Sequence, residues 1–212
     1  MSITFSLTLV FVIITVLASL YAWQRPDIME KWMMNPYRVA HRKEYSRFIT
    51  SGFIHQDGMH LLFNMIALFS FGVQMEEKVF SVLYPGAGLT LFGILYIVGI
   101  IVSDIPTYLK YKNYSYYNSL GASGGVSAVV FAFILFNPQA KLGLMFIPFL
   151  KLPAFLFGAL YMFYSIYMSK RGGDNINHDA HLWGALFGIV FSVIVYPPVV
   201  NLFMSQILGG SI

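Results

Sequence analysis

Cysteine is absent from the 212-residue sequence, and charged residues are scarce. Without cysteine the chain can form neither a disulfide framework nor a thiolate metal site, so any chemistry must use hydroxyl, imidazole, carboxylate or amide groups. Charged residues make up 10% of the chain, whereas a soluble domain has about 25%. Hydrophobic residues make up 58%, and the mean hydropathy is +0.69. The composition therefore indicates an integral membrane protein.

Six mostly apolar stretches are candidates for membrane-spanning helices, which need about 20 such residues to cross the hydrocarbon core. The first ends in Tyr21 and Trp23 and lacks the basic start and cleavage site of a signal peptide, so we expect it to be retained. We predict one all-α domain, residues 1–212. Its predicted spans are about 3–23, 59–74, 85–103, 122–136, 147–168 and 180–203.

The formal net charge is +4, and the basic residues fall mainly between the predicted spans. There we expect them to meet lipid headgroups rather than nucleic acid. The longest polar stretch, residues 24–58, mixes six of the thirteen Lys and Arg residues with methionine and tryptophan. Such a mixture is typical of a segment lying in the membrane interface. We therefore predict an interfacial first loop, a lipid bilayer around the chain and no nucleic-acid partner.

Polar side chains stand near the starts of the second, fourth and sixth predicted spans. In a six-span chain these three helices start from the same face of the membrane, so the groups collect on one side. Because burying polar groups in a membrane is costly, such residues are candidates for function. They are His55, His60 and Asn64 in HQDGMHLLFN, Ser123 in GASGG, and His178 and His181 in NHDAHLWGALFG.

Ser123 has a structural and a chemical interpretation. It could cap a helix, or belong to a packing face of small residues that includes Gly121, Gly124, Gly125 and Ala128. The 14 residues from Ser123 to Phe136 cover about 21 Å at ~1.5 Å per residue, less than a hydrocarbon core of about 30 Å. We therefore expect Ser123 to lie below the membrane surface, reached by irregular backbone over residues 114–122.

A nucleophilic Ser123 needs a base and donors for an oxyanion. His181 can supply the base, because Gly184, Ala185 and Gly188 follow it and leave a strip on which another helix can pack closely. The i, i+4 pair His60 and Asn64 can supply donors from one helix face, and the Ser123 amide at a helix N-terminus can add another. Together these groups could form an acyl-transfer site.

Two other chemistries fit the sequence less well. His55, His60, His178 and His181 could hold zinc, but HExxH is absent and no acidic residue is placed as a general base. An aspartyl site has only Asp174, in a loop, and no second aspartate inside a span. Asp179 precedes His181 by two residues and should point to another helix face. We therefore predict a Ser-His dyad with no metal and no cofactor.

The three motifs, in this order on the second, fourth and sixth spans, resemble the rhomboid family of intramembrane serine proteases. The resemblance covers most of the chain and implies a six-helix rhomboid bundle that cleaves transmembrane protein substrates. It implies Ser123 as nucleophile, His181 as general base, and an oxyanion hole of His60, Asn64 and the Ser123 amide. Supporting roles are implied for His55, Gly121, Gly124, Arg47 and Gly184.

Three positions depart from the family pattern. Ser46 stands before Arg47 where the family often has tryptophan, so the anchoring of the first loop could differ. Ser127 stands where some members place an aromatic residue to support the histidine, so we expect His181 to be held less firmly or by another group. A glycine usual after the acidic end of the second span is missing near residues 76–80.

The orientation in the membrane is predicted differently by two arguments. Ten of the thirteen Lys and Arg residues lie on the face that carries the candidate site, which the positive-inside rule places in the cytoplasm. The resemblance implies the reverse, with the site facing the extracytoplasmic side of a bacterial inner membrane, and we follow it. A catalytically silent membrane chaperone or quality-control factor of the same fold, and a small transporter, are the alternative functions.

Overall fold

The structure, a computed structural model, describes residues 6–144, 147–173 and 176–209, and for residues 144 and 147–150 it describes the backbone alone. Residues 3–5 of the predicted first span and Asp174 of the weighed aspartyl site lie outside the described residues. The described chain is mostly helical. Its helices are α1 (Leu7–Trp23), α2 (Pro26–Trp32), α3 (Pro36–Arg42), α4 (Arg47–Thr50), α5 (Gly58–Val73), α6 (Ser81–Leu83), α7 (Gly88–Tyr111), α8 (Ser123–Phe136), α9 (Ala154–Arg171), α10 (His178–Val195) and α11 (Val199–Leu208).

Three stretches of the described chain form helices that are long and apolar enough to cross a membrane: Gly58–Leu83, Gly88–Tyr111 and His178–Val195. The apolar helices α1, α8 and α11 are shorter. Although α9 has 18 residues, it is less apolar because it contains three tyrosines and ends in Lys170 and Arg171. The chain is therefore an integral membrane protein, while six spans and an interfacial first loop stay predictions.

The prediction of an all-α chain is wrong for the segment between α8 and α9. Strands β1 (Lys141–Leu144) and β2 (Ile147–Pro153) form an antiparallel hairpin there, with Leu142 opposite Leu152. Pro148 and Pro153 favour extended backbone in the residues before them, which explains why the helix cannot begin at residue 147. The fifth predicted span, 147–168, is therefore replaced by a hairpin followed by α9.

Three other predicted spans have different bounds. The second, predicted over 59–74, continues as helix to Leu83. The third was predicted to end at residue 103, before the charged Asp104. Asp104 is instead buried within α7, so the helix continues to Tyr111. The sixth, predicted over 180–203, breaks at Pro197–Pro198 into α10 and α11, since proline removes a backbone donor and clashes with the preceding turn. The fourth predicted span, in contrast, agrees with α8 to within one residue.

Glu76 connects the second long helix to the first. Beyond α5 the chain continues through a π-helical segment, Gln74–Phe80. The buried Glu76 carboxylate accepts hydrogen bonds from the amides of Leu7 and Thr8, both at 2.7 Å. A carboxylate at this position satisfies N–H groups that have no intrahelical partner and interacts favourably with the helix dipole.

The core of the molecule is α8, whose residues are almost all buried between α7 and α10. Small residues allow the backbones to approach. A Cβ on Gly99 of α7 would lie 2.9 Å from the Ala128 Cβ, and one on Gly125 would lie 2.6 Å from the Ile100 Cγ1. Such close helix contacts are typical of membrane helices, whose association depends on van der Waals packing.

Arg47 anchors the first loop from a buried position. Its Nη1 donates to the carbonyl oxygens of Glu30 at 2.8 Å and Met33 at 2.6 Å, and its Nε donates to the Glu44 carboxylate at 2.6 Å. The guanidinium thus ties the C-terminal end of α2 to α4, which is the kind of geometry expected of a supporting residue. The neighbouring Ser46 makes no side-chain capping bond.

Candidate active site

Ser123 is the first residue of α8, and the segment before it, residues 114–122, has irregular backbone as predicted. Gly121 makes this approach possible for two reasons. Its φ of +123° lies in a region that favours glycine, and a Cβ there would lie 2.6 Å from the His60 Cε1. Gly121 therefore lets the chain pass the His60 ring immediately before Ser123.

His55 supports the same approach from the side of the first loop. Its Nε2 accepts a hydrogen bond from the Ala122 amide at 3.3 Å, so Nδ1 carries the proton and faces the Ser19 Oγ at 3.2 Å. Burial lowers the pKa of His55 to about 3, which favours this neutral form. His55 thus contacts the backbone next to Ser123, while its role remains structural in this geometry.

Further hydrogen bonds position the irregular segment. The Gly121 amide donates to the Ser51 carbonyl at 2.9 Å, and Ser119 exchanges two backbone bonds with Met34 of the first loop. The Ser51 Oγ in turn donates to Asp104 Oδ2 at 3.3 Å. The expectation that no further aspartate lies inside a span is therefore wrong, since Asp104 is buried in α7. Asp104 faces a serine hydroxyl here, which is a supporting contact.

Close packing of α8 and α10 brings together the helices that carry Ser123 and His181. A Cβ on Gly184, one turn after His181, would overlap the carbonyl oxygen of Gly124, and a Cβ on Gly188 would overlap that of Ala128. On its other side, Gly124 meets the Ser103 side chain of α7. The predicted bare strip on the sixth span is confirmed, and it contacts α8 through Gly184 at Gly124 and through Gly188 at Ala128.

His60 and Asn64 lie one turn apart on α5, with Asn64 buried and His60 partly exposed. The Asn64 Nδ2 donates to the His60 carbonyl at 2.9 Å, which orients the amide, and an amide nitrogen carries a second N–H. The rings of His60 and His55 meet edge to face, with centroids 4.9 Å apart. These contacts hold both α5 side chains in place.

One cavity joins the predicted catalytic groups. It has a volume of about 1340 Å³ and lies between α5, α8, α9, α10 and the loop before Ser123. Ser123, His181, His60 and Asn64 all line it, together with apolar side chains that include Phe63 and Phe157. The structure therefore brings to one site all four side chains that the sequence selected from three separate motifs.

Tyr161 of α9, which was not among the predicted site residues, also lines this cavity. Its ring lies nearly parallel to the His181 ring, with centroids 6.0 Å apart and an interplanar angle of 13°. Its hydroxyl is hydrogen-bonded to Ser127, at 2.9 Å. No spacing in the sequence indicates this contact, because it depends on how α9 packs against α8 and α10.

Asp179 lies near His181 in sequence but has other partners. It accepts hydrogen bonds from Lys110, at 3.1 Å, and from Ser169. This agrees with the expectation that Asp179 points to a different helix face.

As for a metal site, no group of three or more histidine and acidic side chains suited to metal binding occurs within residues 6–144, 147–173 and 176–209.

Comparison with known proteins adds an independent finding. The model of the Rhomboid domain family matches residues 42–198. RHOMBOID-like protein 12, mitochondrial, of Arabidopsis thaliana is 30% identical over 176 residues, which cover 74% of this chain and 49% of the relative. Presenilin-associated rhomboid-like protein, mitochondrial, of Homo sapiens is 31% identical over 150 residues, or 68% of this chain and 36% of the relative.

A third relative, presenilin-associated rhomboid-like protein A, mitochondrial, of Danio rerio, is 28% identical over 173 residues, or 80% of this chain and 43% of its own length. The chain thus spans less than half of the length of each of these three relatives. Their names place those proteins in mitochondria, whereas the sequence analysis predicted a bacterial inner membrane for this chain. An integral membrane location agrees with both.

Proposed function

Since the chain belongs to the rhomboid family, we propose that it is an intramembrane serine endopeptidase that hydrolyses peptide bonds in or beside transmembrane segments. The observation that carries this proposal is the cavity of about 1340 Å³ that Ser123, His181, His60 and Asn64 line together. A nucleophile, a base and oxyanion donors in one cavity are the groups that acyl transfer requires.

In the proposed mechanism, His181 accepts the proton of the Ser123 hydroxyl as Oγ attacks the carbonyl carbon of the scissile peptide bond. The tetrahedral intermediate collapses, and His181 returns the proton to the leaving amine. Water then attacks the acyl-enzyme with His181 again as base, releasing the carboxylic acid and restoring Ser123. The reaction consumes one water molecule and needs no metal or cofactor.

The developing oxyanion would be held by three donors. The Ser123 amide is at the start of α8, where an N–H has no intrahelical partner and the helix dipole favours negative charge. Asn64 and His60 approach the cavity from α5. Because the donors are already fixed by their own contacts, they need little reorganisation during the reaction, which is the basis of electrostatic stabilisation.

The substrate would be a transmembrane segment that unwinds locally. Helical carbonyl groups are hydrogen-bonded and shielded, so small or helix-breaking residues near the cut should favour cleavage. The cavity is lined partly by apolar residues such as Phe63 and Phe157, which suit an apolar segment. A rhomboid-like chaperone that holds unstable helices without cutting them is the alternative, because the same cavity could bind without reaction.

Labelling with a fluorophosphonate probe tests the proposal. We expect the wild type in detergent to be labelled on Ser123 and to cleave a model transmembrane substrate, and Ser123→Ala and His181→Ala to do neither. Ser115→Ala, a serine in the preceding exposed loop, is the matched control and should behave as the wild type. Cleavage by Ser123→Ala would show the proposal to be wrong. Substrate binding without labelling or cleavage by the wild type would favour the chaperone.

A further inference from the structure

The imidazole of His181 has an aromatic neighbour on a different helix from the nucleophile. The Tyr161 ring of α9 lies almost parallel to it, at a centroid distance of 6.0 Å and an angle of 13°. Aromatic rings at such a separation and angle favour an offset parallel arrangement, so the pair favours one orientation of the imidazole plane.

Tyr161 is itself held in one position. Its hydroxyl is hydrogen-bonded to the Oγ of Ser127 at 2.9 Å, and Ser127 is 4% exposed on α8, one turn after Ser123. Its ring also meets Phe131, with centroids 5.6 Å apart, and Phe157, with centroids 6.4 Å apart. The hydrogen bond to the hydroxyl and the two ring contacts leave the Tyr161 side chain little rotational freedom.

We propose that Tyr161 is the positioning residue for His181 and that Ser127 holds Tyr161 in place. This rests on the proposed function, because positioning matters for a base that must reach the Ser123 hydroxyl. The small Ser127 leaves room on α8 for a ring that arrives from α9. The Ser127–Tyr161 hydrogen bond joins α8, the helix of the nucleophile, to α9, and the ring contact joins α9 to α10, the helix of the base.

The arrangement makes catalysis depend on how α9 lies against α8. Only Ala154, Gly158 and Ser165 of α9 are buried, while Leu160, Phe163 and Tyr167 are exposed on its outer surface. At Gly158, a Cβ would lie 3.0 Å from the Ile134 Cδ1, so the two helices are close at that point. If α9 moved away from α8, the Tyr161 ring would leave His181.

Cleavage kinetics separate positioning from substrate binding. We expect Tyr161→Leu to lower kcat by about ten- to a hundredfold with KM nearly unchanged, because small misplacement of a catalytic group is costly in rate. Tyr161→Phe and Ser127→Ala should each cause a smaller loss, and the double variant should lose no more than either one, since both remove the same hydrogen bond. Tyr167→Leu, on the outer surface of α9, is the matched control.

A second measurement does not need catalysis. The rate at which diethylpyrocarbonate modifies His181, followed by mass spectrometry, should rise in Tyr161→Leu and stay unchanged in Tyr167→Leu, because loss of the ring frees and exposes the imidazole. An unchanged rate in Tyr161→Leu overturns the proposal. If the wild type neither labels nor cleaves, the proposed protease function is wrong, while the modification rates still decide the role of Tyr161.

Discussion

At the residue scale, His55 and His181 show how the same side chain can have two kinds of role in one site. The His55 ring is fully buried and uses both nitrogens in contacts with Ala122 and Ser19. His181 lines the same cavity as Ser123. A buried imidazole with both nitrogens engaged is suited to holding backbone, whereas a base must reach a substrate.

The buried state of His55 predicts a pH dependence of stability. Its pKa is lowered from 6.5 to about 3 by burial, so between these pH values the unfolded chain binds a proton that the folded chain does not. The free energy of unfolding is therefore unaffected by the titration of His55 above pH 6.5. It decreases as the pH falls from 6.5 toward 3, by at most about 1.4 kcal/mol per pH unit. Thermal unfolding in detergent at pH 7 and pH 5 measures the change.

His55→Gln should show a smaller decrease in unfolding temperature between pH 7 and pH 5 than the wild type, because glutamine does not titrate. His41 is exposed on α3, and His41→Gln is the matched control with the wild-type slope. An equal decrease in His55→Gln and wild type would contradict the assignment of this pH dependence to His55.

At the element scale, backbone contacts decide how far the helices of the site can approach. The α8 and α10 backbones meet at Gly124 and Gly184, which have no side chain to separate them. Proline limits the helices in two other places, the hairpin β1–β2 and the break at Pro197–Pro198. There it prevents regular helix where apolar composition alone would favour it. Composition indicates where a helix can lie, and these residues determine where it ends.

Gly184→Ala tests the α8–α10 contact. The added Cβ would overlap the Gly124 carbonyl, so we expect a loss of about 1–3 kcal/mol in stability, a lower unfolding temperature and weaker fluorophosphonate labelling. Gly58→Ala is the matched control, since a Cβ at that first residue of α5 has no neighbour within 4 Å. Equal unfolding temperatures for the two variants would show that the contact does not limit packing.

At the scale of the whole molecule, the orientation in the membrane is set by the distribution of charge and by the fold. The excess of Lys and Arg on the site face favours a cytoplasmic position by the positive-inside rule. Several of these side chains have partners in the structure, such as Arg47 with Glu44 and Lys110 with Asp179. These pairs lower the net charge of the site face, and the extracytoplasmic orientation stays a prediction.

The absence of cysteine allows this orientation to be measured without background labelling. We expect a membrane-impermeant maleimide added from the extracytoplasmic side to label Tyr116→Cys, which replaces an exposed residue of the loop before Ser123. Lys141→Cys, exposed on β1, should react only after the membrane is permeabilised. The reverse pattern would show that the positive-inside rule determines the orientation of this chain.

Much of the candidate site can be read from the sequence because its parts are local patterns. His60 and Asn64 share a helix face through their i, i+4 spacing, and Gly184 and Gly188 form a strip for the same reason. Tyr161 could not be found in this way, since its contact with His181 spans two helices. Asp104 was missed because a charged side chain inside an apolar run looks like the end of a span.

The sequence by itself determined that the chain is a membrane protein and which groups are available for chemistry, because composition and helical spacing are properties of the chain alone. It also determined the family through three motifs in order. Only the tertiary structure decided that His181 meets Tyr161, that Tyr161 meets Ser127 and that His55 holds the Ala122 amide. These contacts join residues far apart in sequence, so they exist only after the helices have packed and their small residues have set the distances between them.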